Sequence, residues 1–427
     1  MGDKPMKVVI VAPHASAKFG GESILPLHYF TRLPEHGVET YMVIHERTRP
    51  ELELVLGDRI KNVFFIEDTS VHRALYQCSK VLPQRIGAFT FGLMLDLLTQ
   101  WQQKKLAKSL IKNESIDIVH EPIRVSPKMP SIMYNMGVPV VIGPMNGGMV
   151  FPKPFKYLES RSEKYFTLFG RLASGLIHRL LPGKRRAEVL ISANDRTTNA
   201  LPSSNAKIEL LVENGVDLNL FSSSKAANES NTNKPFNFVY LGRLVDWKCI
   251  DSLLLAANRL NDSSVDFVIE IVGTGEETSA LQSLCSDLGL QDKINFHGFV
   301  PQEKCVSILQ ACNCLVLPSV YECGGAVVLE AMAMSKPVIA TDWGGPADYL
   351  DESCGVLVSP LESRTAFIEQ FAEAMKTLMA DRARCVKMGE QGRKKVEDNY
   401  CWSKKAAAMK LIYQGAIDSY AGRQKEP

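Results

Sequence analysis

The chain has no D-x-D triplet, no C-x-x-C pair, no H-x-x-x-H pair and no G-x-G-x-x-G fingerprint. The first three absences argue against a bound metal as the carrier of the chemistry, and the fourth removes the usual dinucleotide signature. No apolar run approaches the ~20 residues that span a bilayer. The apolar run in the N-terminal MGDKPMKVVIVAP is too short and strand-like for a signal peptide, and Met at the sixth position is a poor myristoylation match. An excess of one charge is also missing. With 49 Lys and Arg against 47 Asp and Glu, the net charge of +2 gives no global field for nucleic acid. The ten cysteines have no paired spacing and several sit in apolar runs, which predicts reduced, mostly buried thiols and a cytoplasmic protein.

A chain of 427 residues is too long for one core and implies two domains of about 200 residues each. KVVIVAP (7–13), TYMVIH (40–45), NVFFI (62–66), DIVHEP (117–122), VPVVIGPMNGGM (138–149) and EVLISAN (188–194) read as buried parallel strands. Residues 85–113 read as helical. The second half alternates more cleanly: FNFVYLGRL, WKCIDSLLLAANRL, FVIEIVGTGEE, SALQSLCSDL, KINFHGFV, QEKCVSILQAC and CLVLP. That alternation predicts a doubly wound α/β sheet. Expected boundaries are 1–198, 199–400 and a C-terminal helix in 401–427.

The most informative stretch runs from Ser319 to Leu350, SVYECGGAVVLEAMAMSKPVIATDWGGPADYL. Gly324 and Gly325 make a tight elbow after a strand, and Ala326–Met334 has helical composition until Pro337 ends it. The elbow sets the amides of Gly325, Ala326 and Val327 at a helix N-terminus, where the dipole favours an anion such as a diphosphate. Glu330 falls one turn further in, about 5 Å along the axis, within reach of the ribose of the same nucleotide. Glu322 precedes the elbow, on the side where a donor sugar lies. A plain crossover helix with a solvated glutamate satisfies these residues equally well. Arg243 at a strand end and Lys248 at the next helix start are spaced to clamp a diphosphate, or else are two surface cations. Gly20–Gly21 follows the first strand, where open α/β sheets bind phosphate, although a flexible loop has the same composition.

The segment E-C-G-G-A-V-V-L-E, with AMA, a lone Pro and a second GG turn behind it, resembles the E-x7-E segment of the retaining glycosyltransferases of family 4. The resemblance covers nearly the whole chain and is weakest between residues 50 and 115. It departs from the usual pattern at Cys323, where an aromatic or small residue ordinarily precedes the glycine. It implies a GT-B fold, in which two Rossmann-like domains face a cleft and the C-terminal helix crosses back to the first. It further implies a metal-independent transfer of a hexose from a UDP- or GDP-linked donor to a hydroxyl of a saccharide or lipid-linked acceptor. No separate cofactor is implied.

On that resemblance Glu330 holds the ribose, and Arg243, Lys248 and the Gly324–Val327 elbow take the diphosphate. Glu322 holds the sugar, while the loops carrying Gly273 and Gly275 and carrying Phe299 and Val300 cradle the base. His120 and the Gly20–Gly21 loop complete the site from the other domain. Another GT-B activity, an inverting transferase or a nucleotide-sugar epimerase, shares the fold. Residues 151–187 are basic with interleaved aromatics and leucines. A core-facing helix with a solvated basic side accounts for them, and so does a peripheral membrane contact at the inner face of the membrane; a non-catalytic scaffold using that contact is the remaining alternative.

Overall fold

The computed structural model describes residues 5–18, 21–81, 87–123, 125–159, 175–222, 234–260 and 266–425. Two compact units account for the chain. One comprises Met1–Gly148, Phe166–Glu213 and Trp402–Pro427; the other comprises Met149–Tyr165 and Asn214–Cys401.

In the first unit, strands β1 (Met6–Val11), β2 (Val38–His45), β3 (Val63–Ile66), β4 (Ile118–Glu121), β5 (Val140–Met145), β6 (Val189–Ser192) and β7 (Lys207–Leu210) form one sheet. Their order is β3-β2-β1-β4-β5-β6-β7, and every neighbouring pair is parallel. Continuous Val and Ile runs suit these strands because helices cover both faces of such a sheet. The expected boundary at 198–199 is too early. β7 completes the first sheet, and the unit ends at Glu213. The helix Trp402–Lys425 also belongs here. It places Trp402, Ala406, Met409, Tyr413 and Ala416 in the core with Val8, Ile10 and Tyr29, the three-and-four spacing of one helical face.

In the second unit, β8 (Phe236–Leu241), β9 (Phe267–Val272), β10 (Ile294–Gly298), β11 (Cys314–Leu317), β12 (Val338–Thr341) and β13 (Gly355–Val358) take the order β10-β9-β8-β11-β12-β13. All are parallel. Strand order reverses between β8 and β11. Open sheets bind ligands beyond the carboxyl ends of strands at such a switch point. All ten cysteines are free and seven are buried, as expected.

The basic segment 151–187 is not one element. Residues 160–174, which hold most of the expected amphipathic helix, lie outside the described residues. Phe155 is fully buried and meets Phe367 edge-on in the second unit, with ring centroids 5.0 Å apart. Lys184 is buried in the first, its ammonium donating to the carbonyls of Ser126 (2.6 Å) and Pro127 (3.2 Å). Leu176 and Leu180 are exposed. Among the described residues no helix is long and apolar enough to cross a membrane.

Candidate donor site at the switch point of the second unit

The stretch Ser319–Leu350 folds as two glycine elbows that touch. Gly325 caps the helix Ala326–Ala333 from the left-handed region, at φ 70° and ψ 53°. Gly344, at φ 76°, starts the second elbow. A Cβ on Gly344 would lie 2.2 Å from the carbonyl oxygen of Glu322, and one on Gly345 would lie 2.3 Å from that of Gly324. The Gly345 amide donates to the Glu322 carbonyl at 2.8 Å. Only glycine fits this approach, so the second GG is there to hold the first.

Lys248 and Glu322 form an ion pair, both side chains largely buried. The sequence reading gave them separate ligands, a diphosphate and a sugar. The structure instead joins them across the switch point, so each neutralises the other before a ligand arrives. Val320 donates to the carbonyl of Trp247 at 3.0 Å and fastens the same two connections through the backbone. Arg243 is the contrasting cation. It is exposed, and among the described residues its guanidinium has no hydrogen-bond or ion-pair partner. Its carbonyl accepts from the hydroxyl of buried Tyr240 at 2.9 Å, which fixes the strand end that carries it.

Glu330 is half-buried one turn into the elbow helix, between buried Leu329 and Ala331. Burial pushes its carboxyl up to about 7. Among the described residues nothing hydrogen-bonds or ion-pairs with its side chain. A half-buried carboxyl without a partner is partly desolvated at a cost, and a ligand's hydroxyls would relieve it.

The loops expected at the base form a third backbone corner. Gly273 (φ 137°) and Gly242 (φ 158°) stand so close that a Cβ on Gly273 would sit 1.9 Å from the Gly242 oxygen. Gly273 donates to Gly298 at 2.9 Å, and Leu244 donates to Thr274 at 3.0 Å. The amide of Gly275 meets the Thr278 hydroxyl at 3.0 Å. Val300 is buried beyond β10, whereas Phe299 presents an exposed ring, 80% accessible.

Sequence reasoning placed Met149 at the end of a strand and Phe151 in the basic segment, and missed the contacts that residues 149–151 make. The Trp343 indole donates to the Val150 carbonyl at 2.9 Å, Phe151 stacks on Tyr321 at 4.8 Å, and Met149 packs on Gly344. This strap braces both elbows, and its only sequence signal was an aromatic at two of its three contacts.

The residues expected from the first unit stand differently. Gly20 lies outside the described residues, and Gly21 is exposed at φ 67°. His120 ends up fully buried rather than presented to a ligand. Its Nε2 donates to the Gly143 carbonyl at 2.6 Å, and its Nδ1 meets the Tyr413 hydroxyl at 2.7 Å. Burial lowers it to about 4. With both nitrogens taken, the ring bridges the sheet to the C-terminal helix.

Residues 222–395 match the family model described as glycosyl transferases group 1. A D-inositol 3-phosphate glycosyltransferase of Mycobacteroides abscessus is 32% identical over 251 residues, 57% of this chain and 52% of that protein. A GDP-mannose-dependent alpha-(1-6)-phosphatidylinositol monomannoside mannosyltransferase of Mycolicibacterium smegmatis is 30% identical over 185 residues, covering 42% of this chain and 47% of that one. The chain thus spans about half the length of these curated relatives. In fold it is similar to Anabaena HepE in complex with UDP (TM-score 0.65, 15% identity, 96% of this chain and 100% of that one). The sucrose-phosphate synthase of Thermosynechococcus elongatus compares similarly (TM-score 0.63, 18% identity, 97% and 100%). The group 1 glycosyl transferase match thus lies on residues 222–395, within the second unit, and the chain has the α/β GT-B fold.

Proposed function

We propose that the second unit binds the nucleoside diphosphate of a UDP- or GDP-linked hexose, and that the protein transfers that hexose to a hydroxyl of a saccharide or lipid-linked acceptor, with retention and without a metal in the reaction. The observation that carries this reading is the unpaired, exposed Arg243 at the end of β8, next in the sheet to the strand leading into the Gly325 elbow. Arg243 takes diphosphate oxygens, and the amides at the start of the elbow helix take others. Both offset charge that grows on the leaving diphosphate. Glu330 accepts from the ribose hydroxyls, one helical turn away. Lys248 is drawn toward the diphosphate, which releases Glu322 to the hydroxyls of the sugar. The names of the relatives, which include an inositol phosphate and a phosphatidylinositol mannoside transferase, support a polyol or glycolipid acceptor. The leaving phosphate is the base for the acceptor proton in a same-side displacement.

Calorimetric titration of UDP and GDP tests the donor half. Arg243→Ala and Lys248→Ala are each expected to weaken the preferred nucleotide about 10- to 100-fold, the worth of a lost charge-assisted contact. Wild-type affinity in both variants would refute the assignment.

A further inference from the structure

We propose that His45, Asp68 and His72 in the first unit form a binding site for one divalent transition-metal ion of the zinc class. His45 is the last residue of β2, and Asp68 lies two residues beyond β3. His72 is in the first turn of the helix Ser70–Val81. β2 and β3 are parallel neighbours with His45 opposite Ile66, so the turn leaving β3 passes beside the His45 ring. One ligand atom from each of the three residues lies within 4.8 Å of the other two.

The second observation is the state of the two imidazoles. His45 is 4% exposed and His72 is fully buried, with ring centroids 5.3 Å apart. The Nε2 atom of each is buried and has no hydrogen-bond partner. A buried polar atom left unpaired costs about 1–3 kcal/mol, so two in one cluster with a carboxylate need a reason. His45 Nε2 stands 3.5 Å from Asp68 Oδ1, long for a hydrogen bond. It is close to the ~3.3 Å edge of a tetrahedron built on metal–ligand distances of about 2.0–2.1 Å.

The surroundings of His72 suit ligation. Its Nδ1 lies 2.8 Å from the Thr69 hydroxyl and accepts the Thr69 amide at 3.3 Å; ligation through Nε2 exchanges that long amide contact for an Nδ1 proton given to the hydroxyl. At His45, Nδ1 accepts the Arg47 amide at 3.3 Å, and ligation through Nε2 exchanges that long contact for a protonated Nδ1. The charges around the site are Arg47 at 2.8 Å and Arg73 at 3.9 Å from the Asp68 carboxylate, and Glu46, which accepts the Asp68 amide at 2.6 Å. Arg47 thus serves as the cation on Asp68 here, and a bound metal ion replaces it. Two imidazoles and one carboxylate select Zn2+, Co2+, Ni2+ or Cu2+ over Mg2+ and Ca2+, which prefer oxygen shells. Such an ion would tie the ends of β2 and β3 to the following helix, a structural role separate from the donor residues of the second unit.

The full chain, stripped with EDTA, is titrated with Zn2+ and with Co2+ by calorimetry and visible absorption. One ion per chain is expected, with cobalt d–d bands, no thiolate-to-cobalt charge transfer and a higher melting temperature. Asp68→Asn, at a partly exposed position, and His72→Gln are each expected to weaken binding at least about tenfold. Absence of stoichiometric binding to wild type, a thiolate band, or unchanged affinity in Asp68→Asn overturns the proposal. The wild-type cobalt spectrum decides the matter even if His72→Gln fails to fold.

Discussion

Glu330→Gln is expected to bind its nucleotide about 10- to 100-fold more weakly at pH 8 and, at that pH, to unfold at a higher temperature than the wild type. Both effects come from one carboxyl that burial holds at about 7. As a carboxylate it accepts from two ribose hydroxyls; as an acid, or as an amide, it loses acceptor capacity. Wild-type affinity should therefore rise as pH increases through 7, and fall by up to about tenfold per unit below it. The Gln variant should lack that step, and whatever pH dependence it keeps belongs to the nucleotide's own phosphate. Stability runs in the opposite direction. A carboxyl raised in the folded state favours the protonated fold, so the stability is complete below its unfolded value near 4.5 and is lost as pH climbs through 7. At pH 8 the amide avoids this loss, on the order of 1–3 kcal/mol, whereas at pH 4 the two proteins should unfold alike. Calorimetric binding from pH 5.5 to 8.5, with thermal unfolding at pH 4 and 8, separates the two effects. A Gln variant that melts below the wild type at pH 8 would contradict the burial account.

How much of this was legible in the sequence depends on whether the information is local. β8 to β13 are mostly apolar, β10 alternating, and Gly and Pro punctuate them, so their alternation with helices could be read directly. The first elbow, its helix and Glu330 lie within a dozen residues and needed only the helical rise to be related. β7 was misjudged because Lys207–Leu210 is mostly exposed, and a short edge strand carries no burial signal. The helix Ser70–Val81 went unread for the same reason: only His72 on it is buried. His120 was placed correctly at a strand end, but the direction of its ring is set by Gly143 and Tyr413, which are 23 and 293 residues away. The Lys248–Glu322 pair spans 74 positions, and the Val150–Trp343 bond spans 193. Spacing rules cannot see such contacts, because the fold alone brings them together. The absence of an H-x-x-x-H pair was read as the absence of a metal from the chemistry. The proposed His45, Asp68 and His72 set, drawn from a strand end, a loop and a helix, carries no spacing of that kind and leaves the chemistry untouched.

Gly273→Ala should be the most damaging single methyl group in the second unit, with a loss of about 3 kcal/mol or more and no measurable nucleotide binding. Gly273 has φ 137°, a conformation that L side chains rarely adopt. Strain alone is survivable, but here the new Cβ would also stand 1.9 Å from the Gly242 oxygen, a backbone atom with no rotamer to change. Neither side can retreat freely. Gly242 donates to Val272 at 3.0 Å, and Gly273 donates to Gly298 at 2.9 Å, so relief on either side breaks a bond between the ends of β8, β9 and β10. Those ends carry Arg243 on one side and the Phe299–Val300 turn on the other, and a shift of about 1 Å there misplaces the clamp. Gly289→Ala is the internal control. It also has positive φ, at 66°, but a Cβ there meets nothing within 4 Å, so it should lose only about 1 kcal/mol and keep its affinity. Scanning calorimetry of both variants, with nucleotide titration, makes the comparison. If Gly273→Ala melts beside Gly289→Ala and binds normally, this corner does not shape the donor site.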